Sequence, residues 1–158
     1  MAKALDWNQS LESLWKRGYG RLGTLLSKRQ CEDVRALYQS TDLFRSRVDM
    51  ARYRFGRGEY QYFANPLPNL VERLRHELYS QLSGTATQWT LLLLEQQPRA
   101  ESIGHSIRLQ QGEAAVITTR YRPVKGSRGF HRTNFRHGVS PLLSGERYTL
   151  GIIFHDAA

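Results

Sequence analysis

The chain has 158 residues, of which 40% are hydrophobic and 23% are charged, and its formal net charge is +9. This length predicts one domain and excludes two large ones, since domains usually contain about 100–200 residues. The ordinary hydrophobic and charged fractions exclude a disordered, a fibrous and a membrane-spanning chain. Arginine supplies 19 of the 23 basic residues. The charge is therefore open to three interpretations: nucleic-acid binding, carboxylate binding or a solvated basic surface.

The cysteine content and the first 26 residues indicate where in the cell the protein is expected to be. Cys31 is the single cysteine of the sequence, which excludes an intramolecular disulfide and indicates a reducing compartment. Charged residues interrupt the first 26 positions, so we expect no signal peptide. The longest aliphatic run, residues 91–94, is far shorter than the about 20 residues that span a bilayer. These features predict a soluble cytoplasmic protein with no membrane partner.

The first 63 residues are predicted to form two helices and three strands. Apolar residues at helical spacing end at Gly18, and Ser27 precedes a second helical segment over residues 28–38. Between them, residues 19–26 predict a short strand. Residues 44–50 and the alternating aromatic residues of 53–63 predict a strand pair that is interrupted at Gly56 and Gly58.

A third helix begins after Pro66 and Pro68, and its apolar stripe predicts an end at Ser83 and Gly84. After Trp89 the hydrophobic period changes to two residues. The strands predicted from this period are residues 90–94, 103–109, 114–119, 133–139 and 147–154. Because helices precede strands, we predict an α+β domain whose helices pack on one face of a mostly antiparallel sheet.

Three residues near the C-terminus could form a binding site. On a strand, Arg147 and Thr149 would point to the same face, where a guanidinium and a hydroxyl suit a carboxylate. His137, on the preceding predicted strand, could bring a metal ligand to the same cavity. Spacing alone does not establish this site, because the chain has five histidines and 23 basic residues.

The surrounding residues form a longer recognisable block. It comprises Arg122-Pro123-Val124, Gly126, Arg128-Gly129, Asn134, Arg136-His137-Gly138-Val139-Ser140, Ser144-Gly145 and the run from Arg147 to Asp156. The first half adds Phe44-Arg45-Ser46-Arg47, Gly56-Arg57-Gly58-Glu59-Tyr60, Tyr62-Phe63 and Pro66-Leu67-Pro68. Over nearly the whole chain, these residues resemble a bacterial family of Fe(II)/2-oxoglutarate-dependent dioxygenases.

The resemblance implies a double-stranded β-helix, or jelly roll, buttressed by the N-terminal helices. Residues 1–89 would supply the helices and first strands, and residues 90–158 the C-terminal strands. It implies an enzyme that uses Fe(II), 2-oxoglutarate and dioxygen, with ascorbate as an optional reductant. Such an enzyme would hydroxylate an unknown substrate while converting 2-oxoglutarate to succinate and CO2. By the same resemblance, His137 matches an iron ligand, Arg147 binds the remote carboxylate of 2-oxoglutarate, and Thr149 is its hydroxyl partner.

The sequence departs from the family pattern at the other two iron ligands. The family supplies them as His-x-Asp, and this chain contains neither His-x-Asp nor His-x-Glu. The resemblance implies that a segment with this motif is missing near residues 90–95, which leaves an incomplete jelly roll. We therefore expect impaired activity and open sheet edges that could pair in a homodimer. The alternative is an inactive relic or a basic module that binds nucleic acid or another polyanion.

Overall fold

The computed structural model describes residues 5–53, 57–94, 98–100 and 104–154, with the backbone alone for residues 98–100. In this part of the chain, three strands lie between the helices and four follow the last helix. The helices are α1 Trp7–Arg17, α2 Lys28–Ala36 and α3 Asn69–Leu93. The strands are β1 Tyr19–Thr24, β2 Phe44–Asp49, β3 Glu59–Phe63, β4 Pro98–Ala100, β5 Glu113–Ile117, β6 Tyr121–Gly126 and β7 Gly129–Asn134. This mixture confirms the α+β class.

The chain divides into two compact units. Unit 1 combines Met1–Cys31 with Gln81–Gly138, and unit 2 combines Glu32–Ser80 with Val139–Ala158. Within the described residues, the strands form three small sheets rather than one: β1 with β5, β2 with β3, and β4-β7-β6. All pairs are antiparallel except β4 with β7. The jelly roll and the single domain over residues 1–158 stay predictions.

In unit 1, α1 and β1 follow the local sequence signals. The Asp6 side chain accepts a hydrogen bond from the Gln9 amide at the start of α1, which satisfies a backbone donor that has no partner within the helix. The helix ends at Gly18, where φ is 80°, a conformation that glycine adopts without a steric penalty. The predicted end of α1 at Gly18 is confirmed.

The turn from α1 into β1 brings the two elements into close contact. Ser10 is buried, and its hydroxyl oxygen lies 2.7 Å from the Asp6 carbonyl oxygen and 2.6 Å from that of Arg21. A side chain on Gly20 would collide with the carbonyl oxygen of Ser10. A residue without Cβ at position 20 is therefore what allows β1 to lie against α1.

The β6-β7 hairpin completes the described part of unit 1. Its strands pair from Tyr121 with Asn134 to Gly126 with Gly129, leaving a two-residue loop. Pro123 is fully buried, whereas Lys125 is exposed. The hairpin thus carries an apolar contact surface near its middle and basic side chains near its loop.

The predicted helix after Ser27 and the predicted strand pair are confirmed with shorter bounds. Helix α2 ends at Ala36, β3 begins at Glu59, and Met50–Tyr53 is a 3-10 helix rather than a strand. At the start of α2, the Gln30 amide donates to the Ser27 hydroxyl and the Ser27 amide donates to the Gln30 side chain, a reciprocal cap. In the sheet, the rings of Phe44 and Phe63 stack with centroids 4.7 Å apart.

The predicted end of α3 is wrong, and so is the strand over residues 90–94. The helix continues through Gly84 to Leu93. A glycine inside a helix costs only about 1 kcal/mol relative to alanine, and leucine is a good helix former. The hydroxyl of Thr87 donates to the Ser83 carbonyl, and that of Thr90 to the Ala86 carbonyl. A short apolar run does not distinguish a buried strand from a helix.

Three other predicted strands are absent from part or all of their ranges. No strand is present over residues 104–109, 135–139 or 147–154, while Ile103 lies outside the described residues. The prediction of residues 114–119 is confirmed by β5, and that of 133–139 only at its start by β7. A strand requires a partner for its backbone groups. The described chain provides none for the exposed apolar residues Val139, Leu143 and Ile153.

Over the residues that were described, no helix combines the length and the apolar character needed to cross a bilayer.

Candidate functional site

The predicted carboxylate-binding residues lie in the segment after the last strand. Arg147 and Thr149 are both exposed. The Arg147 Nη2 donates to the Ser140 carbonyl oxygen over 3.1 Å. Because residues 147–154 form no strand, the common strand face expected for the two side chains is absent. Their assignment to 2-oxoglutarate stays a prediction.

Tyr148, between these two residues, anchors the segment within unit 2. Its ring lies edge-on to Tyr38, with centroids 5.5 Å apart and an interplanar angle of 80°. The Arg35 guanidinium carbon is 6.0 Å from the same ring centroid, at the limit of a cation–π contact. This aromatic contact fixes the backbone between Arg147 and Thr149 beside the end of α2.

Tyr38 in turn belongs to a hydrogen-bonded cluster with β2 and β3. Its hydroxyl donates to Glu59 Oε1 over 2.8 Å, and Arg47 Nε donates to Glu59 Oε2 over 2.7 Å. Arg47 Nη2 also contacts Glu59 Oε2. The bonds from Arg47 and then from Tyr38 hold the pKa of Glu59 below its ordinary value. Burial, followed by donation to Glu59, raises the pKa of Tyr38.

Sequence reasoning missed this cluster, although one signal pointed to part of it. The predicted pairing of residues 44–50 with 53–63 brings Arg47 close to Glu59, since Arg47 pairs with Gln61 and Asp49 with Glu59. Opposite charges on neighbouring strands stabilise such pairs. Tyr38 follows α2 in the chain, and the pattern of the two strands does not predict where this residue lies relative to them.

His137, the predicted metal ligand, is exposed in unit 1, after the end of β7. Across the described ranges, no three His, Cys, Asp or Glu side chains come together as a metal site. A facial Fe(II) site needs two histidines and one carboxylate. The residues described here therefore do not fit the iron that the resemblance implies. His155, Asp156 and Glu95, whose side chains are of the types that bind iron, lie outside the described residues.

Two further histidines have structural surroundings of their own. The His105 ring lies 6.1 Å from the Tyr19 ring in unit 1. His131 is half-buried on β7, opposite Val124 of β6. Neither brings together the additional ligands that an iron site would require among the described residues.

Arg122, from the recognisable block, has a structural role. It is only 3% exposed, and its Nη1 donates to the carbonyl oxygens of Trp15 and Lys16, each over 3.3 Å. A helix leaves its last carbonyl groups without partners within the helix, and a cation is favourable at that end. Arg122 thus joins β6 to the C-terminal end of α1.

Comparison with known families accounts for the recognisable block. The model of the family Oxygenase-NA, described as an oxygenase catalysing oxidative methylation of damaged DNA, matches residues 58–93 and 90–157. These two segments together cover more than half of the chain. The chain belongs to this oxygenase family. Membership of Oxygenase-NA confirms the oxygenase part of the prediction.

Oxygenase-NA membership is accompanied by similarity to two curated proteins. Both are uncharacterized proteins of Mycobacterium tuberculosis, one from strain CDC 1551 / Oshkosh and one from strain ATCC 25618 / H37Rv. Each is 52% identical to this chain over 80 residues, which is 49% of this chain and 34% of the relative. The alignment therefore spans about a third of each relative. No solved structure matches the chain.

Proposed function

We propose that this Oxygenase-NA chain is an Fe(II)/2-oxoglutarate-type dioxygenase directed at DNA, with turnover that is impaired in the chain itself. The observation that carries this proposal is the family match over residues 90–157, which includes His137, Arg147 and Thr149. In this assignment, Arg147 and Thr149 bind the remote carboxylate of 2-oxoglutarate. A planar guanidinium fork with an added hydroxyl donor suits that group.

Two features support impaired turnover. The family match comes as two segments that meet at residues 90–93, close to the position where the resemblance implies a missing segment. The described residues also lack a grouping of three metal ligands. One imidazole alone does not form a facial iron site. We therefore expect the proposed net reaction, in which 2-oxoglutarate, dioxygen and DNA give succinate, CO2 and hydroxylated DNA, to proceed slowly or not at all in this chain.

Succinate formation tests this proposal. The purified chain is incubated with Fe(II), ascorbate, 2-oxoglutarate and methylated single-stranded DNA, with a chelator-treated sample as the metal-free control. We expect succinate close to the level of that control, with the chain folded as judged by circular dichroism. Rapid metal-dependent formation of succinate would contradict impaired turnover. The absence of both turnover and 2-oxoglutarate binding would contradict the dioxygenase assignment.

A second candidate function is a basic module that binds nucleic acid without catalysis. The distribution of charge favours it: residues 114–145 contain five arginines and one lysine but no aspartate or glutamate. Such a segment attracts phosphates, and its affinity for them falls as salt rises. If the chain binds DNA but shows no binding of 2-oxoglutarate that depends on Arg147, the result would favour a basic binding module rather than a dioxygenase. Failure to bind DNA at low salt would exclude it.

A further inference from the structure

A cavity of about 340 Å³ lies within unit 1, between the end of α1 and the β6-β7 hairpin. Its volume falls in the range of about 300–1,000 Å³ that is typical of small-ligand sites. The residues that line it are Trp15, Lys16, Arg122, Pro123, Val124, Lys125 and Phe130. It thus combines aromatic and aliphatic walls with basic side chains.

The aromatic walls are held by contacts with one another. Trp15 lies 6.3 Å from Phe130 between ring centroids, with an interplanar angle of 61°, and 5.5 Å from Trp89 at 82°. Edge-to-face pairs of this kind are favourable arrangements for aromatic rings. Pro123, which also lines the cavity, is fully buried. The aromatic surface is therefore formed in the free protein and needs little rearrangement to receive a flat ligand.

The basic side chains at the cavity differ in their availability. The Lys16 ammonium is 2.5 Å from the Glu12 carboxylate, so its charge is partly compensated. Lys125 is exposed and has no acidic partner within the described ranges. The absence of acidic residues from positions 114–145 leaves the hairpin without negative charge of its own. Lys125 is accordingly the cation best placed to receive an anionic group.

A second pair of basic residues extends this charge along the hairpin. The guanidinium carbons of Arg120 and Arg132 lie 4.7 and 4.9 Å from the centroid of the Tyr121 ring. Arg120 is exposed directly before β6, whereas Arg132 is half-buried on β7 and its Nη2 donates to the Leu93 carbonyl oxygen over 2.6 Å. The hairpin therefore carries basic side chains from its loop to its opposite end, a pattern that suits a linear polyanion better than a single small anion.

We propose that this cavity binds one nucleotide of single-stranded DNA, with the base against Phe130 and Trp15 and the phosphate at Lys125. Aromatic stacking beside a positively charged groove is how proteins commonly bind single strands. The choice of DNA rests on the proposed function, because the family is described as acting on damaged DNA. The cavity residues are separate in sequence from Arg147 and Thr149, so the two assignments can be tested independently.

Fluorescence anisotropy of a labelled oligothymidylate of about 12 nucleotides tests the cavity. The charge variant is Lys125→Ala, and its control is Lys28→Ala, which removes another exposed lysine. The aromatic variant is Phe130→Leu, and its control is Phe63→Leu, which makes the same change in the β2-β3 sheet. Circular dichroism and a urea titration establish that each variant is folded.

We expect Lys125→Ala to weaken binding. It should also make the negative slope of log affinity against log salt less steep, by about 0.7 between about 50 and 200 mM salt, because one phosphate contact is lost. Lys28→Ala should keep the parental slope. We expect Phe130→Leu to weaken binding by about five-fold or more, because it removes a stacking surface, and Phe63→Leu to bind as the parent does. If Phe130→Leu unfolds, the lysine pair decides the question.

Three results would overturn the assignment of the cavity. In the first, Lys125→Ala and Lys28→Ala lose the same affinity and have the same salt slope, and folded Phe130→Leu binds as tightly as the parent. Another is full displacement of the oligonucleotide by equimolar thymidine monophosphate, which would assign the cavity to a free nucleotide. The third is no oligonucleotide binding at low salt. If Arg147-dependent binding of 2-oxoglutarate persists in any of these cases, the cavity assignment fails without the dioxygenase assignment.

Discussion

Tyr148 packs edge-on against Tyr38, with the ring centroids 5.5 Å apart. Tyr38 is also the residue whose hydroxyl donates to Glu59. The segment that carries Arg147 and Thr149 is thereby connected to the β2-β3 pair within unit 2. The position of the proposed 2-oxoglutarate residues depends on this aromatic contact, because no strand holds them.

A double-mutant cycle measures the contact between the two tyrosines. We expect Tyr38→Ala and Tyr148→Ala to be coupled by about 0.5–1.5 kcal/mol in the free energy of unfolding, the range for aromatic pairs. Urea denaturation supplies the four values. The control cycle pairs Tyr38→Ala with Tyr79→Ala, since Tyr79 contacts Phe154. Coupling as small in the test cycle as in the control would mean that Tyr148 is not held by Tyr38.

The Arg47–Glu59 pair predicts a pH dependence of stability. The pKa of Glu59 is lowered in the folded protein, so the unfolded chain binds the proton first as the pH falls. The stabilisation is complete above the unfolded pKa of about 4.3 and is lost as the pH falls through the folded pKa. Between about pH 7 and pH 3, the urea midpoint of the parent should fall more than that of Glu59→Gln. Parallel decreases would contradict this effect of Glu59.

Gly84→Ala tests the length of α3. Gly84 lies inside the helix, and a Cβ added there meets nothing within 4 Å. Replacing an interior helical glycine by alanine should raise the free energy of unfolding by about 0.5–1 kcal/mol. Chemical denaturation measures the change. A decrease in stability would indicate that the helix ends at Gly84 in a left-handed conformation, as the sequence pattern alone predicts.

Gly20→Ala is expected to have the opposite sign. The added Cβ would collide with the Ser10 carbonyl oxygen, where α1 and β1 are in contact. Both elements must shift to admit it, so we expect a loss of about 1–3 kcal/mol in the free energy of unfolding. The same denaturation series serves as the measurement, with Gly84→Ala as the matched glycine replacement. Unchanged stability would contradict the close contact between Gly20 of β1 and the Ser10 carbonyl oxygen of α1.

The sequence predicts those parts of the fold that depend on neighbouring residues. Gly18 ends α1 and Ser27 caps α2 because a left-handed glycine and a hydroxyl acceptor act within one turn of chain. The end of α3 was wrong because a single glycine is a weak helix breaker among leucines. The strand over residues 147–154 was wrong because alternation indicates a strand only where a partner strand is available.

The two sites differ in how far the sequence reveals them. Arg147 and Thr149 are identified by the resemblance of the surrounding sequence to a known family. Such a resemblance assigns a role to a residue but does not give its position in the fold. The cavity requires Trp15 of α1 to meet Phe130 of β7, a contact between residues more than 100 positions apart. No local pattern encodes that contact. Tyr38 was missed for the same reason, since its partner Glu59 lies 21 positions away.

Calorimetric titration of 2-oxoglutarate into the folded chain tests the central proposal, the carboxylate site at Arg147. Three proteins are compared: the parent, Arg147→Ala, and Arg52→Ala, which removes another exposed arginine of unit 2. We expect weak but measurable binding to the parent and to Arg52→Ala, and none to Arg147→Ala. Equal binding by Arg147→Ala and the parent would contradict it.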